Sequence, residues 1–289
     1  MAESAIVVMG ATGMFGGAVT DELLAKGLKP RAITRSETKA KSLADKGAVP
    51  VVADLAQPES IGRALEGAER AFLVSPMEPG LNVLEKNFID RCKTAGVKHV
   101  IKLYGCVEHG DDPLNSLHLD AISHLKESGL DWTLVSPNTV MESNIYPHAL
   151  SIVEEGKIYA STGDGRCGFV AVKDCAQVAA HVLTTPGHHG EDYQVTGPEA
   201  VSFTELAEIF SRVLGRKIEY VDIPEQTMLQ ILCSTGLTPE QAEMGVLCHY
   251  RVFKQQKASL VTDTVARLLG RPAISVEEFV RENVARFQA

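Results

Sequence analysis

The chain has 289 residues, 45% of them hydrophobic, with a formal net charge of −9 and a pI near 5.5. That length can bury a large core, as one big domain or two small ones. The acidic balance argues against nucleic acid or an anionic membrane surface as partner, since both want a basic patch. No apolar stretch approaches the roughly 20 residues of a membrane span. The start of the chain carries Glu3 and no basic region or cleavage signal, which points to a soluble cytoplasmic protein.

The first half alternates strand and helix patterns. Residues 5–9 read as a short buried strand and 14–26 as a helix closed by Gly27. Residues 31–35 form a second strand and 37–46 a helix; 49–52 form a third strand, followed by a helix that starts at Pro58. Residues 71–74 are a fourth strand, 81–95 a long helix, 99–103 a fifth strand, 113–128 a helix ended by Gly129, and 132–135 a sixth strand. Strands and helices in this alternation specify an α/β fold of Rossmann type, a doubly wound parallel sheet with helices on both faces.

After residue 140 the pattern changes. Strands are expected at 157–160 and 193–196, with the glycine turn Thr162-Gly163-Asp164-Gly165 between them. Asp174-Cys175-Ala176-Gln177 reads as a capping box, as do Ser202 to Glu205, Thr238 to Gln241 and Ser275 to Glu278. The last of these opens a helix with Val276, Phe279, Val280, Val284 and Phe287 on one face. We therefore expect a Rossmann domain over residues 1–150, its sheet completed by parts of 170–197. A smaller, mainly helical lobe over 151–289 follows, its chain interleaved with the first. The six cysteines and nine histidines show no metal-ligand spacing, so no metal is expected. Cys106 follows a strand end with no base apparent beside it, and His188-His189 reads as solvated loop.

The most specific motif is Gly10-Ala11-Thr12-Gly13-Met14-Phe15-Gly16, between the first strand and the first helix. Glycines at this spacing make a tight turn, let backbone approach a pyrophosphate and let helix and strand pack closely, while the helix N-terminus offers free N–H groups to the anion. The alternative is a plain tight turn. The second strand ends in Thr34-Arg35-Ser36, with Lys39 one turn on, where an NAD site would carry Asp or Glu. A guanidinium, two hydroxyls and an ammonium suit a 2′-phosphate, so NADP(H) is the expected cofactor. The alternative is a solvated basic helix start, and Glu37 weakens the positive field. Asp54 and Leu55 after the third strand, and Val74, Ser75 and Pro76 after the fourth, are further expected cofactor contacts; Asp54 also fits a turn residue.

These residues, with Gly96 to Lys102, Leu125 to Thr133 and Gly163 through Asp174, resemble the NmrA-like atypical short-chain dehydrogenases over nearly the whole chain. That family includes a transcriptional co-regulator, quinone and triphenylmethane-dye reductases, and fungal alkaloid reductases of festuclavine-synthase type. The resemblance implies NADP(H) on the glycine turn and Thr34-Arg35, with substrate between the sheet and the C-terminal lobe. Many members carry Arg before the proline matching Pro137 and aromatic residues after it, and a Ser where this chain has Tyr104. Here Ser136 and small or polar residues through Thr139 stand at the former places, which suggests a roomy pocket.

Typical short-chain dehydrogenases pair Tyr and Lys four apart on one helix, where the ammonium lowers the phenol pKa for proton transfer. The pair Tyr250 and Lys254 has that spacing but lies far from the helix after the fifth strand, and reads as chance surface spacing. On the helix in the right place, His118 stands where the family pattern puts Tyr or His, and Ile122 replaces the charged partner. His118 is a candidate proton donor or a half-buried helix histidine. Tyr104 is a candidate acid, substrate platform or packing residue, and Lys102, on the same side of its strand, reaches a nicotinamide ribose or snorkels to solvent. Asn138 and Asn144 are placed at the pocket floor, with Tyr146 and His148 as walls.

The expected function is an NADPH-dependent reductase of a small, largely apolar or aromatic acceptor such as a quinone, iminium or conjugated carbonyl. Such acceptors need little help from an acid, and none is obvious. The alternatives are a non-catalytic NADP sensor that binds a protein partner, which the missing acid would favour, and an isomerase or cyclase that uses the same pocket.

Overall fold

The computed structural model describes residues 5–105 and 113–288; Cys106 lies outside them. The first eleven elements are β1 (Ile6–Val8), α1 (Met14–Ala25), β2 (Arg31–Thr34), α2 (Glu37–Asp45), β3 (Val49–Val52), α3 (Pro58–Leu65), β4 (Arg70–Leu73), α4 (Leu81–Ala95), β5 (His99–Leu103), α5 (Pro113–Glu127) and β6 (Asp131–Pro137). They form a seven-stranded sheet in the order β3-β2-β1-β4-β5-β6 and then the strand Glu191–Val195. The pairings from β3 through β6 are all parallel, with Val7 opposite Arg31 on one side and Ala71 on the other. Strand order therefore reverses between β1 and β4, which opens the crevice where such sheets bind ligands.

The reason for this sheet is visible in β1. Its three residues, Ile-Val-Val, are all buried, as a central parallel strand covered on both faces requires. On one face α3 and α4 turn Ile61, Ala64, Leu65, Phe88, Ile89 and Cys92 onto Val7, Ile33, Ala71, Leu73 and Val100. Burial pushes the Cys92 thiol far above its ordinary pKa, so it is an inert core residue. On the other face α1 packs against the helix Val172–Thr184. Arg70 at the start of β4 donates to the carbonyls of Leu183 (2.8 Å) and Thr185 (2.9 Å), closing the C-terminus of that helix.

The chain divides into two compact units. The first holds residues 5–104, 113–136 and 172–193; the second holds Gly105, 137–171 and 194–288. The chain thus passes into the second unit at Pro137, where the sequence reading drew a division near 150, and returns over 172–193 for a helix and the start of the seventh strand.

The second unit is mainly helical around short ladders. Lys157–Ala160 pairs in parallel with Glu219–Asp222, Thr139–Val140 with Phe169–Val170, and Arg166–Cys167 runs antiparallel to Val201–Ser202. Except for 157–160, these strands carry no readable periodicity, most being two residues long. Phe203 centres the core, with Phe169, Tyr220, Tyr250 and Phe253 around it. Tyr250 is therefore buried rather than on the surface, and its phenol is pushed well above its ordinary pKa by that burial. The capping boxes at Ser202, Thr238 and Ser275 form as expected. The one at Asp174 does not: the helix already starts at Val172, which leaves Asp174 fully buried within its first turn.

Candidate active site

The glycine turn is shaped by backbone crowding. Gly10 has φ 64°, in the left-handed region, and a Cβ there would sit 3.1 Å from Val74 at the end of β4. Gly13 N–H donates back to the Gly10 carbonyl (2.8 Å), closing the turn. At Gly16 a Cβ would lie 2.3 Å from the Gly10 carbonyl oxygen and 2.5 Å from that of Met9, so no other residue fits without moving backbone. Helix α1 starts at Gly13 with no side-chain cap and no acidic residue in its first turn. A helix start of this kind suits an anion, toward which its positive end points. Thr12, Gly13 and Met14 are exposed, Phe15 half-buried, and an open cavity of about 490 Å³ runs from Ala11–Met14 along α1 to Lys39 and Lys46.

At the end of β2 the hydroxyls serve the fold while the cations stand free. Buried Thr34 Oγ1 accepts from Ser36 N–H (3.2 Å), and Ser36 caps α2 by accepting from Lys39 N–H (3.3 Å). Arg35 and Lys39 are exposed and have no ion-pair partner among the described residues. By contrast Lys46, on the same cavity, is paired to Asp21 at 2.8 Å. After β3, Asp54 Oδ1 accepts from Ala56 N–H (3.0 Å) in a local turn, and Leu55 is buried in the core. Glycine turn, uncapped helix end and unpaired cations together fit the phosphates of NADP(H).

Beyond the switch point, the ends of β4 and β5 hold a buried cluster. Lys102 on β5 is fully buried and does not snorkel; its Nζ lies 2.8 Å from Oε1 and 2.7 Å from Oε2 of Glu85 on α4, itself fully buried. Ser75 Oγ also donates to Glu85 Oε1 (2.8 Å), while Val74 is half-buried and Pro76 exposed. Burial raises the Glu85 carboxyl, but the neighbouring His118 and the charge and hydrogen bond of Lys102 outweigh it and hold the group below the usual range. Burial pushes the Lys102 ammonium down, with Glu85 opposing.

His118 on α5 completes the cluster: its Nδ1 is 3.2 Å from Lys102 Nζ and its Nε2 is 3.1 Å from Sδ of the exposed Met77. Ile122 suggested that His118 lacks a charged partner; Lys102 supplies one from a neighbouring strand. The Tyr104 and His118 rings meet edge to face with centroids 5.6 Å apart, and Tyr104 donates its OH to Asn115 Oδ1 (2.6 Å). Sequence reasoning missed Glu85, which sits in α4 among ordinary helix charges and carries no motif.

The four expected pocket residues lie in the second unit, each engaged there. Asn138 Nδ2 donates to the carbonyls of Ala258 (3.1 Å) and Leu260 (3.3 Å), and Asn144 Nδ2 to that of Val140 (2.8 Å). Tyr146 donates to Asn283 Oδ1 (2.9 Å) and stacks on Phe279. His148 is buried against Phe203, and burial pushes its pKa down to about 4. Ser136 to Thr139 are likewise all buried, with Ser136 Oγ donating to Asp192 Oδ1 (2.6 Å). The small side chains there are closely packed.

The NmrA-like family model matches residues 2–279. The chain belongs to the NmrA-like family. It is 33% identical to an NAD(P)H azoreductase of Xenophilus azovorans over 286 residues, covering 98% of this chain and 99% of that one. Among solved structures it is similar to Citrobacter sp. triphenylmethane reductase complexed with NADP(H), at TM-score 0.87 and 27% identity, covering 96% of this chain and 99% of that one. It is similar also to an Escherichia coli NADPH-dependent quinone oxidoreductase complexed with NADPH, at TM-score 0.88 and 27% identity over the same shares. The glycine turn and the buried cluster thus sit on an NmrA-like frame.

Proposed function

We propose that the protein is an NADPH-dependent reductase that delivers hydride to a small, conjugated, largely apolar acceptor: a quinone, an azo or triphenylmethane-type dye, or an iminium. One observation carries this reading: a turn no side chain can enter, flanked by two solvent-facing cations, Arg35 and Lys39, without counter-ions among the described residues. The kinship to NADP(H)-dependent reductases of dyes and quinones supports the acceptor class. The bound cofactor supplies hydride. The chain does the rest. The Gly10–Gly16 turn and the start of α1 hold the pyrophosphate, and Arg35 and Lys39 pair with the 2′-phosphate. His118 offers a proton from Nε2, the nitrogen that faces away from Lys102. Tyr104, edge-on to His118, fixes that ring's tilt.

The regulatory alternative drew on the lack of an acid; in the reductase reading His118, in contact with Lys102, fills that role. The test is NADPH oxidation against a panel of quinones, azo dyes, triphenylmethane dyes, iminium salts and simple ketones. The reading expects turnover of conjugated acceptors and little of ketones. Tight NADPH binding with no turnover anywhere would overturn it.

A further inference from the structure

A buried ion pair is costly to a fold. Replacing one by apolar residues of similar volume is often neutral or stabilising, so stability does not explain Glu85 and Lys102 at the ends of α4 and β5. Both side chains are fully buried, and among the described residues their one titratable neighbour within reach is His118, at 3.2 Å from Lys102 Nζ and 3.8 Å from Glu85 Oε2. An ammonium has three protons and no lone pair. Lys102 aims them at Glu85, at the Leu103 carbonyl (3.4 Å) and at His118 Nδ1. The histidine nitrogen facing it must therefore present a lone pair. In the neutral ring the proton then sits on Nε2, the atom turned to Met77 Sδ. A thioether is a weak acceptor on an exposed side chain, easily displaced by an oxygen or nitrogen.

We propose that Glu85 is a positioning residue: by keeping Lys102 in place as a buried ammonium, it fixes His118 in the tautomer that carries its proton on Nε2. Its catalytic consequence rests on the reductase reading above; the tautomer itself does not. A quinone takes a hydride to become a hydroquinone anion, whose developing oxyanion Nε2–H stabilises by donating a hydrogen bond, and solvent then supplies the one proton that completes the hydroquinone. A triarylmethyl cation takes hydride at carbon and is neutral at once, with no proton needed. The two acceptors therefore separate positioning of a proton from positioning of everything else.

The test uses the full chain and the double variant Glu85→Gln/Lys102→Met, which removes both charges together and so avoids stranding either. Nitrogen-15 NMR of the His118 ring, without cofactor, is expected to place the proton on Nε2 in the native protein and to show mixed Nδ1 and Nε2 forms in the variant. With saturating NADPH, kcat for a benzoquinone is expected to fall about tenfold, a fraction of what a full general acid supplies. For the triarylmethyl dye crystal violet it is expected to stay within about twofold. A native proton on Nδ1, an unchanged tautomer in the variant, or equal losses on both acceptors would overturn the proposal. Should the native protein reduce neither acceptor, the reductase reading fails by itself, and the ring spectra alone decide the positioning role.

Discussion

Two strand ends of the first unit treat charge in opposite ways. Past β2, Arg35 and Lys39 project into solvent with no partner among the described residues, while Lys102 on β5 and Glu85 on α4 are fully buried and lie 2.7 Å apart. A hydrated cation loses little by standing alone, so unpaired exposed charge can be kept in readiness for an anion. A buried charge has no such freedom, since it must be paired or give up its proton. The first arrangement recruits a ligand from outside. The second sets the state of a neighbouring group from inside.

The largest effect should come from breaking the buried pair on one side. Glu85→Gln strands Lys102 and should cost about 3–5 kcal/mol of stability in chemical denaturation. Adding Lys102→Met should recover most of that loss, because no buried charge remains. A double variant as unstable as the single one would mean that packing, not charge, holds the cluster.

A third treatment of polarity lies at the other end of the sheet, where histidines are buried neutral. His99 Nε2 contacts Thr133 Oγ1 (2.8 Å), and His188 bridges Thr185 (2.8 Å) and Tyr193 (2.7 Å). His188 is buried, not a solvated loop residue, while its neighbour His189 is exposed. Burial, reinforced by Arg70, pushes His99 down to about 4, and burial with His181 and Arg70 lowers His188. A histidine depressed in the fold binds its proton more readily when unfolded, so its contribution is complete above about pH 6.5 and is lost as pH falls toward 4. We expect stability to decline over that window, by up to a few kcal/mol counting buried His148, also near 4. The decline should be reduced in His99→Gln. A flat profile from pH 7 to 4.5 would remove the histidines from this scheme.

Next in size is the glycine turn that serves the exposed site. Gly16→Ala places a methyl 2.3 Å from the Gly10 carbonyl oxygen, which backbone must yield. Overpacking of this kind costs about 1–3 kcal/mol. It should appear as a lower melting temperature and weaker NADPH binding, with the His118 tautomer unchanged.

Legibility in the sequence follows the same division. The sheet was readable because short segments with an apolar centre alternate with helices across glycine and proline punctuation, and α4 and β5 matched to the residue. The exposed half of the site was readable because Gly10, Gly13 and Gly16 form one contiguous motif and Arg35 stands at the end of the next strand, the position that chooses between the cofactors. The buried half was not. Glu85, Lys102 and His118 come from three elements, and each looks ordinary in its own segment; only the β4–β5 register brings them together. The ladders of the second unit were unreadable for a related reason, since two-residue strands such as Thr139–Val140 acquire their character from a partner 30 positions away, at Phe169–Val170.

The smallest effect should be the most selective. Arg35→Ala removes an exposed cation that touches nothing the fold needs, so the melting temperature should hold while NADPH affinity falls about tenfold, the low end for a charge-assisted hydrogen bond. NADH lacks the 2′-phosphate and its affinity should be unchanged, so the preference between the two cofactors narrows by the same factor. Because the interaction is exposed, it should also weaken with salt: the native preference for NADPH should shrink between 0.05 and 0.5 M NaCl, on the order of the Debye screening change, while the variant's should hardly move. Lys39→Ala should act in the same direction and add to Arg35→Ala. Equal losses for NADH and NADPH would place these cations on the pyrophosphate instead, and the contrast between the two strand ends would then concern position in the site rather than the choice of cofactor.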